Sequence, residues 1–219
     1  MDMHPKFPAE PSPGFLLANQ RTESTFEQIP VIDLQNARST DFAARRALAD
    51  LIRDACINVG FFYVKNHGIP ETLISDAIEA GKRYFALPTD AKMQHDIHKS
   101  DNFKGYTPLL GENTNPEGKG DLHEGFDIGW EPFFAKIVPG KDERQDGAMT
   151  GHNVWPQDLP GFREAVLSYY HAAVHLGQLL FPLFALALDL PENYFDDKAG
   201  RCTPHACLEQ LLTCGCEDN

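Results

Sequence analysis

The stretch "NVGFFYVKNHGIP", residues 58–70, decides how the chain is read. Phe61, Phe62, Tyr63 and Val64 make a short apolar run that reads as a strand. Its nearly continuous apolarity points to burial on both faces. Gly60 stops the element before it, and Lys-Asn-His-Gly-Ile-Pro forms a turn in which Pro70 fits the first turn of a helix. His67 therefore has two readings. A histidine at the end of a buried strand can hold a metal, or it can belong to the turn between strand and helix. The turn is the favoured reading, because Gly68 and Pro70 already account for the backbone there.

Working outward, "IPVIDL" at 29–34 is a strand with its proline confined to the start. A helix follows from about Asp41, a good N-cap, to the stop at Gly60. Phe42, Leu48, Leu51, Ile52, Ala55, Cys56 and Val59 fall on one face of it, which makes Cys56 a core residue. After the turn, a helix from Pro70 to about Leu87 has Leu73, Ile74, Ala77, Ile78, Tyr84 and Phe85 as its inner face. "LPTDAKMQ" starts a short helix capped by Thr89 or Asp90. Residues 100–151 are loop-rich, with "HEGFDIGWE" at 123–131 strand-like. The longest helical pattern covers 160–188, where Pro182 should kink it near Gln178 by removing a backbone bond. Residues 1–27 are a loose Pro-rich arm, 28–198 a mixed α/β (α+β) domain, and 199–219 a Cys-rich tail. The visible strands are too few to close a barrel or build a sandwich.

A chain of 219 residues can bury a core of its own. Its formal net charge of -13 argues against nucleic acid or an anionic membrane surface as partner. The apolar run at 176–190 is too short to span a bilayer and carries Pro182. The N-terminus lacks the pattern of a secretory signal, so a cytoplasmic location is expected.

Six blocks carry a resemblance: "IPVIDL", "INVGFFYVKNHGIP", "YFALPTDAK", "KGYTP", "HEGFDIG" and "LGQLLFPLFALALDLPENYF". In that order they resemble the N-terminal region of the Fe(II)/2-oxoglutarate-dependent oxygenases, isopenicillin-N-synthase-like branch, from about Ile29 to Lys198. The resemblance implies a region that wraps a double-stranded β-helix (jelly roll) lying later in the chain. It implies iron held by two His and one carboxylate, with the first His and the acid in a His-x-Asp pattern. It also implies an Arg-x-Ser arginine that pairs with 2-oxoglutarate. The implied reaction is hydroxylation, desaturation or ring closure of a small metabolite, in secondary metabolism. In this branch the segments around "FKGYTP" and "HEGFDIG" lie near the mouth of the jelly roll, so the resemblance makes Lys104, Tyr106 and Phe126 candidate substrate-pocket residues. Packing of Tyr106 and Phe126 onto the barrel is the alternative.

The chain departs from that pattern where the chemistry should be. None of its nine histidines (His4, His67, His95, His98, His123, His152, His171, His175 and His205) begins a His-x-Asp, and no Arg-x-Ser occurs. Nothing after Phe195 reads as a jelly-roll strand. The expectation is a chain truncated before the jelly roll, inactive alone, with no catalytic or metal residue and neither Fe(II) nor 2-oxoglutarate bound. A regulatory fragment docking on a full-length relative is the rival. His95 and His98 read as a solvated helix end, and His171 and His175 as part of a long helix with an apolar inner face. Cys202, Cys207, Cys214 and Cys216 with His205 offer thiolates for zinc, but without a Cys-x-x-Cys knuckle. An arbitrary ending, out of frame or unspliced, is favoured over a zinc site or a redox thiol cluster. An uncovered apolar face should promote self-association.

Overall fold

The computed structural model describes residues 27–113, 118, 120–131 and 152–196; the Pro-rich arm up to residue 26 and the Cys-rich tail lie outside them. Strand β1 (Val31–Asp33) lies parallel to β2 (Tyr63–Lys65), pairing Val31 with Tyr63, Ile32 with Val64 and Asp33 with Lys65. Parallel neighbours need a crossover, and helix α1 (Phe42–Asn58) supplies it. Asp41 starts α1 as the sequence suggests, its carboxylate accepting from the Ala43 N–H at 2.9 Å. Gly60, at φ +97°, takes the left-handed position just past the helix end.

Helix α2 (Glu71–Phe85) follows the turn, with Pro70 rather than a polar side chain at its N-cap. Pro88 likewise precedes the short α3 (Thr89–Lys92), in place of a Thr89 or Asp90 cap. Strands β3 (Gly105–Thr107) and β4 (Gly125–Asp127) form a second, antiparallel pair with Tyr106 opposite Phe126. Helix α4 (Phe162–Ala187) continues through Pro182.

Helix α4 packs against both α1 and α2, and it serves two cores. Its first half joins Phe162, Val166, Tyr170 and Val174 to Ala80, Tyr84, Tyr106 and Phe126. Its second half brings Leu183, with Leu176, Leu179 and Leu180 beside it, to Ile32, Leu34, Leu48 and Ile52. Ala77, Ala80 and Gly81 are the buried small residues of α2. They let the two helices approach closely.

Three expectations about burial fail. Strand β2 is covered on one face only: Val64 points inward, while Tyr63 is 61% exposed beside Val31 at 59%. A two-stranded sheet with α1 and α4 on one side leaves its other side in water. Phe42, Leu51 and Cys56 are exposed, as is Ile78. The buried stripe of α1 is narrower than the spacing suggests: Leu48, Ala49, Ile52 and Ala55. Helix α4, at 26 residues, is by length and composition long and apolar enough to cross a membrane, contrary to the reading of 176–190 alone. The shorter reading missed the apolar turns that precede Leu176. In the fold, one side of α4 is spent on the two cores just described.

The C-terminal end of α4 is held by arginines of α1. Arg46 and Arg53 donate to the Leu186 and Ala187 carbonyls at 3.1 and 3.0 Å. The same two guanidiniums meet the Asp189 carboxylate at 2.7 and 2.6 Å. Arg45 grips Glu192 with two bonds of 2.7 and 2.8 Å. Cations at a helix C-terminus also complement its dipole. The Arg53 and Arg46 hydrogen bonds hold the Asp189 carboxyl below its ordinary range, and that of Arg45 does the same for Glu192.

Asp189→Asn should lower Tm by a few degrees at pH 7. A depressed carboxylate pKa stabilises above the unfolded value and is lost as pH falls through the folded one. The difference between wild type and variant should therefore close below about pH 4, in thermal melts followed by circular dichroism. Gly105 has φ +127°, and a Cβ there would stand 2.3 Å from the His95 carbonyl oxygen. Gly105→Ala combines backbone strain with a clash against backbone and should cost about 3 kcal/mol in urea unfolding.

Candidate functional site

His67 settles into the turn reading. Its Nδ1 accepts the Ile69 N–H at 3.1 Å, so the ring closes the loop that hands β2 to α2. An imidazole accepting at Nδ1 carries its proton on Nε2 when neutral. Beside it, Asn66 donates to Asp33 at 2.7 Å and thereby links the ends of the two parallel strands.

Tyr106 and Phe126 come together in the aromatic core. They are opposite residues of an antiparallel pair, so both side chains leave the same face of the ribbon. The Tyr84 ring lies 4.7 Å from Phe126 and 5.1 Å from Phe162, centroid to centroid. The Tyr106 hydroxyl donates to Glu124 at 2.5 Å. Lys92 reaches the same carboxylate oxygen at 2.6 Å and also donates to the Phe85 carbonyl. Lys92 is only 6% exposed. Two donors on one carboxylate offset much of the cost of burying the charges. Burial, reinforced by the Glu124 hydrogen bond and charge, pushes the Tyr106 hydroxyl pKa well above its ordinary value. Burial alone raises Tyr170 to about 12. Lys104 is buried beside β3, its backbone N–H donating to Ser100 Oγ at 3.0 Å. All three candidates are thus enclosed. Among the described residues, an open cleft of about 390 Å³ lies elsewhere, between α2 and the start of α4, with Asp76, Glu79, Arg83 and Glu164 in its walls.

His95 corrects the solvated-end reading. Its ring packs toward Tyr84 and Phe126, at centroid distances of 6.1 and 6.5 Å. Burial, with the Lys99 charge second, lowers its pKa. His98 is the solvated one, bonded to Asp96. His171 and His175 also diverge: His175 is exposed, and His171 Nε2 meets the Glu131 carbonyl at 2.9 Å.

Glu131 is the polar hub that the sequence conceals. Its carboxylate is 3% exposed, on the side chain, and forms a short two-pronged contact with Arg163 of α4. The other oxygen accepts from Trp155 Nε1 at 2.9 Å and Asn153 Nδ2 at 3.1 Å. Asn153 in turn bonds both backbone groups of Gly129. This network fixes the segment after β4 against α4.

Iron of the expected kind needs two imidazoles and one carboxylate on one point. Among the described residues, the group of three donors that converges is Glu112, Asp121 and His123: one imidazole and two carboxylates. These three described residues do not fit the triad.

Residues 29–158 match the family described as the N-terminal region of non-haem dioxygenases, named for morphine synthesis. A 2-oxoglutarate-Fe(II) type oxidoreductase, ppzC of Metarhizium majus, is 34% identical over 188 residues, 83% of this chain and 50% of that protein. Another, hxnY of Emericella nidulans, is 34% identical over 175 residues, 76% of this chain and 48% of its own length. The chain thus spans about half the length of these curated relatives. Among solved structures, a 2OG-Fe(II) oxygenase family protein of Caulobacter crescentus shares the fold with TM-score 0.60 at 23% identity, over 77% of this chain and 51% of that one. A full-length Neurospora crassa protein, solved in complex with alpha-KG and thymine, gives 0.57 at 22%, over 77% and 50%. The βαβα start, the turn closed by His67 and the long α4 are therefore the N-terminal architecture of a 2-oxoglutarate–Fe(II) oxygenase, and the chain belongs to that family.

Proposed function

We propose that the function served by this region is Fe(II)- and 2-oxoglutarate-dependent oxidation of a small metabolite by hydroxylation, desaturation or ring closure, in cytoplasmic secondary metabolism. The names of the relatives that match over most of the chain support the reaction class. Within it, these 219 residues supply scaffold, while the iron and co-substrate ligands are not among them. The observation that carries this division is the donor set. No histidine begins a His-x-Asp, no Arg-x-Ser is present, and the converging donors of the described residues are of another composition. Buried Lys92 and Tyr106, both on the half-buried Glu124 carboxylate, hold the β3–β4 ribbon in place. Lys104, Tyr106 and Phe126 then act on substrate through the shape of that ribbon.

A second reading, a non-catalytic partner docking on a full-length relative or on its own copy, is favoured by one feature. Phe61, Tyr63 and Val31 place a band of apolar side chains in water on the outer side of β1 and β2.

Two experiments separate these roles. Anaerobic addition of Fe(II) and 2-oxoglutarate to the purified chain should produce no visible charge-transfer band, and admission of oxygen no succinate; stoichiometric succinate overturns the division of labour. Light scattering across a concentration series should show self-association that Tyr63→Lys with Val31→Lys abolishes; a wild-type chain that stays monomeric rejects docking on its own copy.

A further inference from the structure

We propose that Glu112, Asp121 and His123 form a site for one divalent transition-metal ion. The three side chains come from two arms of the loop between β3 and β4. The backbone zips those arms together: Leu110 N–H donates to the Asp121 carbonyl at 3.0 Å, and Asp121 N–H to the Glu112 carbonyl at 2.8 Å. That pairing brings residue 112 beside 121, with His123 two positions further along the second arm. The donor atoms of all three lie within 4.8 Å of one another. His123 Nε2 is already 3.1 Å from Glu112 Oε2. Ligands on one ion, each about 2.1 Å from it, stand roughly 3.0–3.5 Å apart. Closing from the observed spacing therefore takes small side-chain rotations, not a rearrangement of the backbone.

The donor chemistry selects the ion. Two carboxylates supply the negative charge that complements a dication, and the imidazole supplies a nitrogen donor. Nitrogen beside oxygen favours Mn(II), Co(II) or Zn(II) over Ca(II), which prefers oxygen alone. The side chains of Glu112 and His123 are 53% and 29% exposed, so water has access to complete the coordination. The donor set differs from the family triad in having one imidazole instead of two. It also lies outside the buried Lys92–Glu124–Tyr106 and Glu131–Arg163 networks, which are satisfied without any ion.

Mn(II) is the probe, because the thiolates of the Cys-rich tail select softer ions. Titration of the full chain with Mn(II), read as loss of the free-ion electron paramagnetic resonance signal, should saturate at one ion per chain. Loss of a supporting partner alone typically weakens a metal site about 10–100-fold, so His123→Ala, Glu112→Gln and Asp121→Asn should each weaken binding at least about tenfold. Glu79→Gln, on the exposed face of α2, should leave it unchanged. Far-ultraviolet circular dichroism confirms that the variants remain folded. Binding that does not saturate, or that the three substitutions leave as in wild type, assigns the cluster to adventitious surface acidity and overturns the site. Succinate formation plays no part in the readout, so this result is independent of the proposed catalytic division.

Discussion

Helix α4 is the constraint on which the rest depends. A two-stranded parallel sheet has little core of its own, and neither does a two-stranded hairpin pair. Each becomes stable only when something apolar covers it. Here a single helix covers both, its first half against the aromatic core and its second against the βαβ unit. A continuous helix transmits position from one end to the other. Pro182 makes that continuity less obvious, since it leaves the Gln178 carbonyl without its usual helical donor. Tight packing beyond the proline, with Leu183 at 1% exposure, offsets the lost bond.

Charged residues set the register of these pieces, while apolar contacts supply most of the energy. At the C-terminal end of α4, three arginines spaced along α1 grasp the last carbonyls and two carboxylates. Near its N-terminal end, Arg163 meets Glu131, and farther along the aromatic core Lys92 meets Glu124. The two ends differ in kind. Asp189 is solvated, so screening keeps its bridges modest. Glu131 is enclosed, so removing Arg163 would leave a charge with nowhere to go. The buried pairs therefore choose which arrangement of ribbon and helix is allowed, more than they add to its stability.

Backbone order was largely legible, and side-chain environment much less so. Asp41, Gly60 and Pro70 mark element ends by local chemistry, which needs no tertiary context, and the elements begin and stop beside them. Burial depends on what arrives from elsewhere. Cys56 and Leu51 share a helical face with Ile52 on paper, yet only a narrow stripe meets α4. His95 resembled a surface residue because its neighbours are polar, and the Tyr84 and Phe126 rings that enclose it lie outside its own element. Nothing in the sequence around Lys92, Glu124 and Glu131 marks them as members of enclosed polar networks, for the same reason. Their partners lie between 18 and 32 residues away along the chain, and no periodicity connects them. A Trp, an Asn and an Arg gathering on one Glu is a tertiary fact.

The position of the polar networks bears on how a fold of this family separates structure from chemistry. An oxidising centre needs ligands with freely available lone pairs, held in place by partners behind them. In the described half of the architecture, the strong acceptors are already committed: Glu131 takes donors on both oxygens, and Glu124 takes two donors on one. A carboxylate engaged in this way is a poor metal ligand, since binding the ion would strand an arginine or a lysine in the interior. Among the described residues, the three donors that converge lie on the loop between β3 and β4, and their composition is wrong for the triad. A scaffold whose enclosed carboxylates are already engaged on one side, and an exposed loop on the other, suit a region that is to position a reaction that other residues perform.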